Sequence, residues 1–168
     1  MIANIEYLTN DDFEHLWKHS VQHMAATTWL PNVLTQTAEG EWILDGKYLL
    51  KPIVRANMMD NEVLCFRENA ESVSIIAFSG SMVDGIWNTD YFLCGPEDGS
   101  TSMSWIYEKI ALATKGYHRE VVGELGLVGM DFYTASTESR MNEYAVVWGA
   151  TPIGLNKRGQ PMYKIRWA

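Results

Sequence analysis

The stretch Asp131-Phe132-Tyr133-Thr134-Ala135-Ser136, continued by Glu138-Ser139-Arg140-Met141-Asn142-Glu143-Tyr144-Ala145-Val146-Val147-Trp148-Gly149-Ala150 and closed by Gly159-Gln160-Pro161-Met162-Tyr163-Lys164-Ile165-Arg166-Trp167, decides the fold. Its first part reads as a strand. The second has apolar residues at helical spacing and predicts a helix over 137–148, stopped at Gly149. The last part predicts a hairpin that turns at Lys157-Arg158-Gly159 and ends the sequence.

Upstream, residues 3–8 predict a first strand. Thr9-Asn10-Asp11-Asp12 is a capping pattern, with Thr9 as N-cap of a helix running to about Met24. Phe13, Leu16, Trp17, Ser20, Val21 and Met24 share one face of that helix and predict its core side. Residues 25–61 are less regular. A short helix fits there, and Lys51-Pro52 reads as an extended point. Residues 62–67 and 72–79 predict two strands joined by Glu68-Asn69-Ala70-Glu71, and 85–94 a third. Gly95-Pro96-Glu97-Asp98-Gly99 is a turn, and Ser100-Thr101-Ser102 caps a helix to about Thr114. Residues 121–134 read as mostly extended, with bends at Gly123, Gly126 and Gly129. Helices interleave with a mostly antiparallel sheet, which is an α+β class in one domain over 1–168.

Composition bounds the rest. The 168 residues are 47% hydrophobic and 20% charged, the balance of a globular domain with a real core. No apolar run approaches the roughly 18–20 residues of a membrane span, and Met1-Ile2-Ala3-Asn4 lacks the basic and apolar regions of a secretory signal. A soluble, cytoplasmic protein is expected. The net charge of −8 opposes binding to nucleic acid or anionic lipid, and the basic residues cluster only at His118-Arg119 and Lys157-Arg158. Cys65 and Cys94 fall in apolar strands and read as small buried hydrophobes.

His15, His19 and His23 are spaced i, i+4, i+8, and such pairs ligate zinc or nickel. Beyond Asp11 or Asp12 no further ligand stands nearby. The stripe lies opposite Phe13 and Leu16 and is expected to face solvent, so no metal site is assigned. Trp105 and Leu112 lie opposite Met103, Ile106, Ile110 and Ala113 on their helix. A helix apolar on two faces suits a contact with a partner or with a second copy.

The element order resembles the GNAT (GCN5-related N-acetyltransferase) fold over nearly the whole chain. The resemblance implies an acyl-CoA-dependent N-acyltransferase with acetyl-CoA as cofactor. In that family the fourth and fifth strands splay, the pantetheine lies between them, and the helix after the fourth strand points its N-terminus at the pyrophosphate. Here that place is Cys94 through Ser102, with Cys94, Gly99, Ser100, Thr101 and Ser102 as candidate cofactor contacts. The family's usual basic residue and glycine signature is missing, and Glu97 and Asp98 stand where the basic residue would be. The family's general base on the fourth strand falls on Asp90, which a half-buried strand would suit for proton transfer. Gly149-Ala150 resembles the family's Gly-Phe pair, which places the family's acidic tyrosine on Ala145. Tyr144 or Tyr133 then becomes the substitute, although both also read as core.

An acidic surface favours a cationic acceptor such as a polyamine, an aminoglycoside or a lysine side chain. A narrower likeness is to small GNAT-like proteins of short-tailed phages, which keep the last helix, the Gly-Ala pair and the hairpin. It implies the alternative of a non-catalytic binding or structural protein with a virion partner.

Overall fold

The structure is a computed structural model that describes residues 2–27, 34–67, 75–95, 119–134, 137, 141–147 and 149–167. Its elements run β1 (Ile2–Glu6), α1 (Asn10–Thr27), β2 (Leu34–Gln36), β3 (Trp42–Leu44), β4 (Tyr48–Leu49), α2 (Leu50–Met59), β5 (Val63–Arg67), β6 (Ile75–Val83), β7 (Ile86–Gly95), α3 (Arg119–Glu124), β8 (Gly129–Tyr133), α4 (Met141–Val147), β9 (Thr151–Leu155) and β10 (Pro161–Arg166). The expected helix 100–114 and the loop 68–71 lie outside the described residues.

Seven strands form one sheet in the order β1-β5-β6-β7-β8-β10-β9, and β2-β3-β4 form a small second sheet. Every pairing in the large sheet is antiparallel except β7 with β8. This is the mixed, mostly antiparallel α+β sheet flanked by helices that the sequence predicts.

Alternation along the central strands feeds two cores. Leu64, Phe66, Ile76 and Phe78 join Val122, Met130, Ala145, Ile165 and Trp167 on one face. Val63, Cys65, Ile75 and Ala77 join Phe13, Leu16, Leu50, Val54 and Met58 on the other. A sheet covered on both faces needs strands with few polar positions, and β5 and β6 are built that way. Cys65 is fully buried, and that burial pushes its thiol well above the ordinary range.

Local signals hold where the chemistry is local. The Asp12 amide donates to Thr9 Oγ1 at 3.1 Å, which is the expected cap of α1. The last helix ends with the Ala150 amide on the Ala145 carbonyl and the Gly149 amide on the Val146 carbonyl, both at 3.0 Å, a paired bond that closes a helix C-terminus.

Four expectations are corrected. Pro52 is not at an extended point: it sits in the first turn of α2, where a missing N–H costs nothing. Residues 121–124, expected to be extended, are helical as part of α3. Val122 inserts into the core, and the Leu127 amide returns to the Val122 carbonyl at 3.4 Å to end the turn. The region 34–49 holds three short strands. His19 is buried, 9% exposed, and meets the His15 ring edge-on at 4.6 Å. Helix α1 touches both the sheet and α2, so it buries more than one stripe. The His23 side chain, Trp105 and Leu112 lie outside the described residues.

Candidate active site

The site begins with a glycine. On β6, Ser79 faces Tyr91 and Gly80 faces Thr89, so Asp90 is the extra residue of a β-bulge in β7. Gly80 has φ +153°, and a Cβ there would stand 1.8 Å from the Asn88 carbonyl oxygen. Only glycine lets the two backbones approach this closely. Ser79 repairs the broken ladder: its Oγ accepts from the Tyr91 amide at 3.1 Å and donates to the Tyr91 carbonyl at 3.4 Å. The bulge turns Asp90 out, so its carboxylate is exposed rather than half-buried. Asn57 of α2 donates to Asp90 Oδ2 at 3.3 Å.

On its other side β7 meets β8 over three pairs only, Ile86↔Gly129, Trp87↔Met130 and Asn88↔Asp131. Beyond Asn88 the two strands share no further pair. The result is a wedge whose apex is at Thr89 and Asp90. At that apex Thr89 Oγ1 is buried and has no hydrogen-bond partner among the described residues. One side chain crosses the gap: the Tyr133 hydroxyl donates to the Asp90 carbonyl. Burial is the main cause that holds the Tyr133 phenol well above its ordinary value, and Tyr91 and Asp90 add to it while Arg158 opposes. Burial likewise raises Tyr91, with Arg158 opposing and Asp90 adding.

The far wall is fixed by α4. Thr134 and Tyr163 both donate hydroxyls to Asn142 Oδ1, at 2.5 and 2.9 Å, which ties the start of α4 to the ends of β8 and β10. The β9–β10 turn lies at the open end of the wedge, since the Thr134 amide bonds the Pro161 carbonyl at 2.9 Å. From that turn Arg158 reaches Asp45 of the β3–β4 turn at 3.1 Å.

The sequence-derived candidates divide. Asp90 is at the apex, and Cys94 lies further along β7 opposite Ile76. Gly99, Ser100, Thr101 and Ser102 lie outside the described residues, as does the side chain of Tyr144. Ala145 is fully buried in the core. Asn57, Tyr91 and Arg158 were not singled out as site residues. Gly80 follows directly on the strand predicted over 72–79, and because β6 continues through it to Val83 this glycine marks the bulge and with it the site.

Solved structures share this fold. A candidate acetyltransferase of the GNAT family from Desulfovibrio desulfuricans superposes with a TM-score of 0.53 at 8% identity, covering 99% of this chain and 98% of that one. An acetyltransferase from Agrobacterium tumefaciens gives 0.51 at 14% identity, covering 98% and 90%. The aminoglycoside 6'-acetyltransferase type Ii gives 0.51 at 12% identity, covering 100% and 98%. The chain has the GNAT fold. No family model matches the sequence, and no curated protein matches it. At such identities the likeness speaks for the GNAT fold alone, and activity has to be argued from the wedge. No described helix is long and apolar enough to cross a membrane.

Proposed function

We propose that this GNAT-fold protein transfers an acyl group from acyl-CoA, with acetyl-CoA as the simplest donor, to an amine. The observation that carries this reading is the end of the β7–β8 ladder at Asn88. Past it, the β7 edge offers strand-type donors and acceptors to a ligand that hydrogen-bonds like a backbone. The amide-bearing pantetheine arm has that chemistry. Thr89 Oγ1, buried and without a partner among the described residues, adds one polar contact. Residues Thr89 to Gly95 would hold the arm, and the 95–102 segment is the expected place for its pyrophosphate.

The cofactor supplies an acyl carbon activated by a thioester. The chain's own groups prepare the amine. Asp90, exposed at the apex and steadied by Asn57, takes the proton from the ammonium so that a neutral amine is presented. The Tyr133 hydroxyl, kept protonated by burial, donates to the Asp90 carbonyl and so holds the bulge beside the carboxylate.

Calorimetric titration with acetyl-CoA, beside a thermal shift, tests this reading. Micromolar binding with a raised Tm is expected. No binding at millimolar cofactor overturns it. Asp90→Asn should lower kcat about a hundredfold with cofactor affinity unchanged, and an unchanged kcat removes Asp90 from the mechanism.

A second reading is a GNAT-fold binding or structural protein without catalysis. Two observations favour it. The position that resembles the family's tyrosine is Ala145, sealed in the core, and the Tyr133 bond already occupies the Asp90 carbonyl. Failure of acetyl-CoA to bind selects this reading.

A further inference from the structure

We infer that the amine acceptor is a free α-amino acid, its ammonium group meeting Asp90 and its carboxylate meeting Arg158. This rests on the acyltransfer reading for its chemistry, but its recognition step stands on this chain's residues alone.

The overall charge of −8 favours a polycation, yet the charge beside the wedge is mixed. Lys157-Arg158 is one of only two basic clusters in the sequence, and the fold sets it on the β9–β10 turn at the open end of the wedge. The β8–β10 register places that turn directly beyond Tyr133, which pairs with Met162. Arg158 is within electrostatic reach of Tyr91 and Tyr133, and so is Asp90. A carboxylate and a guanidinium therefore both act on the phenol that spans the opening.

Both charges have capacity to spare. Asn57 engages only Oδ2 of Asp90, and Oδ1 accepts no bond from the described residues. Arg158 pairs with Asp45 through one nitrogen, with side chains 53% and 42% exposed. An exposed single-point pair contributes little, whereas a ligand carboxylate can engage the guanidinium fork at two points. A polyamine would bring a second positive charge toward Arg158 and Lys157 and be repelled. An amino acid matches both signs at once.

Equilibrium dialysis of the protein against an equimolar mixture of free amino acids, and separately against the corresponding carboxamides, tests the inference without any cofactor. At least one free acid should be retained at least tenfold better than its amide. Thiol release from acetyl-CoA should show the same preference in kcat/KM, and spermidine should be a poorer acceptor than that acid. Arg158→Gln should bring acid and amide to the same value. Asp45→Asn, which frees Arg158, should improve the acid.

Equal retention of acids and amides overturns the inference, as does retention of neither. If acetyl-CoA binds and spermidine or the amides are acylated as well as the acids, the acyltransfer reading stands and the acceptor assignment falls. If Arg158→Gln weakens acetyl-CoA binding and leaves the acid-to-amide ratio intact, Arg158 serves the cofactor and the inference falls. If acetyl-CoA never binds but acids are retained over amides, the acyltransfer reading falls and the amino-acid site stands.

Discussion

The two edges of β7 are held in opposite ways. Toward β6 the pairing runs from Ile75↔Gly95 to Val83↔Ile86, and side chains such as Phe78 and Phe92 stack across it at 4.9 Å. Toward β8 it stops after three pairs, and one phenol spans the opening. The same strand is core on one side and open on the other. The β6 edge stays paired through its bulge, whereas the β8 edge ends where Tyr133 reaches the Asp90 carbonyl.

Truncation should hurt most on the closed side. Phe78 is 3% exposed and packs on both Phe66 and Phe92, so Phe78→Ala should lose about 3–5 kcal/mol in urea unfolding. A much smaller loss would mean that the closed side is not the stronger one.

Gly80→Ala attacks the boundary itself. Its Cβ would meet backbone, which cannot swing away as a side chain does, so a loss of about 1–3 kcal/mol is expected. Amide exchange should also quicken at Thr89 to Tyr91. Protection unchanged there would show that the bulge does not depend on this glycine.

Tyr133→Phe should cost only about 1 kcal/mol at neutral pH, the worth of one hydrogen bond. It should also change the alkaline limb. Burial raises Tyr133 above its ordinary 10.0. Below that value both folded and unfolded chains are protonated and the contribution is whole. Above it the unfolded chain ionises first, so stability falls as pH climbs toward the folded value. Cys65, raised from 9.0, starts the decline in wild type and variant alike. The two curves should therefore keep a constant offset up to about pH 10 and converge above it, with the variant flatter. Parallel curves would mean that Tyr133 is not buried at the wedge.

The smallest effect is expected for Asp45→Asn. Its pair with Arg158 is exposed on both sides, so stability should change by less than about 1 kcal/mol, and less still in high salt. A larger loss would make the β3–β4 turn a structural clamp on the wedge.

Much of this was legible along the chain. Thr9 named its helix start because a cap needs only three residues of local geometry. The short apolar runs in 62–67 and 72–79, joined by a four-residue loop, named the central strands, because runs of that length buried on both faces suit a sheet centre. Gly149-Ala150 marked the end of the last helix in the same local way. Two tight turns, Asp45-Gly46 and Asp84-Gly85, carry the Asp-Gly signal of a hairpin, and both aspartates take the left-handed conformation, at φ 54° and 53°. Residues 121–124 read as extended because a six-residue helix with an internal glycine has too little periodicity to register, and the insertion of Val122 into the core accompanies the helix.

The sequence by itself determined the α+β class, the two-sided apolar strands, the cap of the first helix, the closing hairpin and the place of Asp90 on its strand. Each rests on contacts between neighbours in the chain. Only the tertiary structure decided that β7 and β8 part after Asn88, that Asp90 is thrown outward by a bulge set from Gly80, and that Asn57, Tyr133 and Arg158 gather around it. Those residues are separated by dozens of positions, and it is the register between strands, fixed by burial on both faces of the sheet, that brings them to one opening.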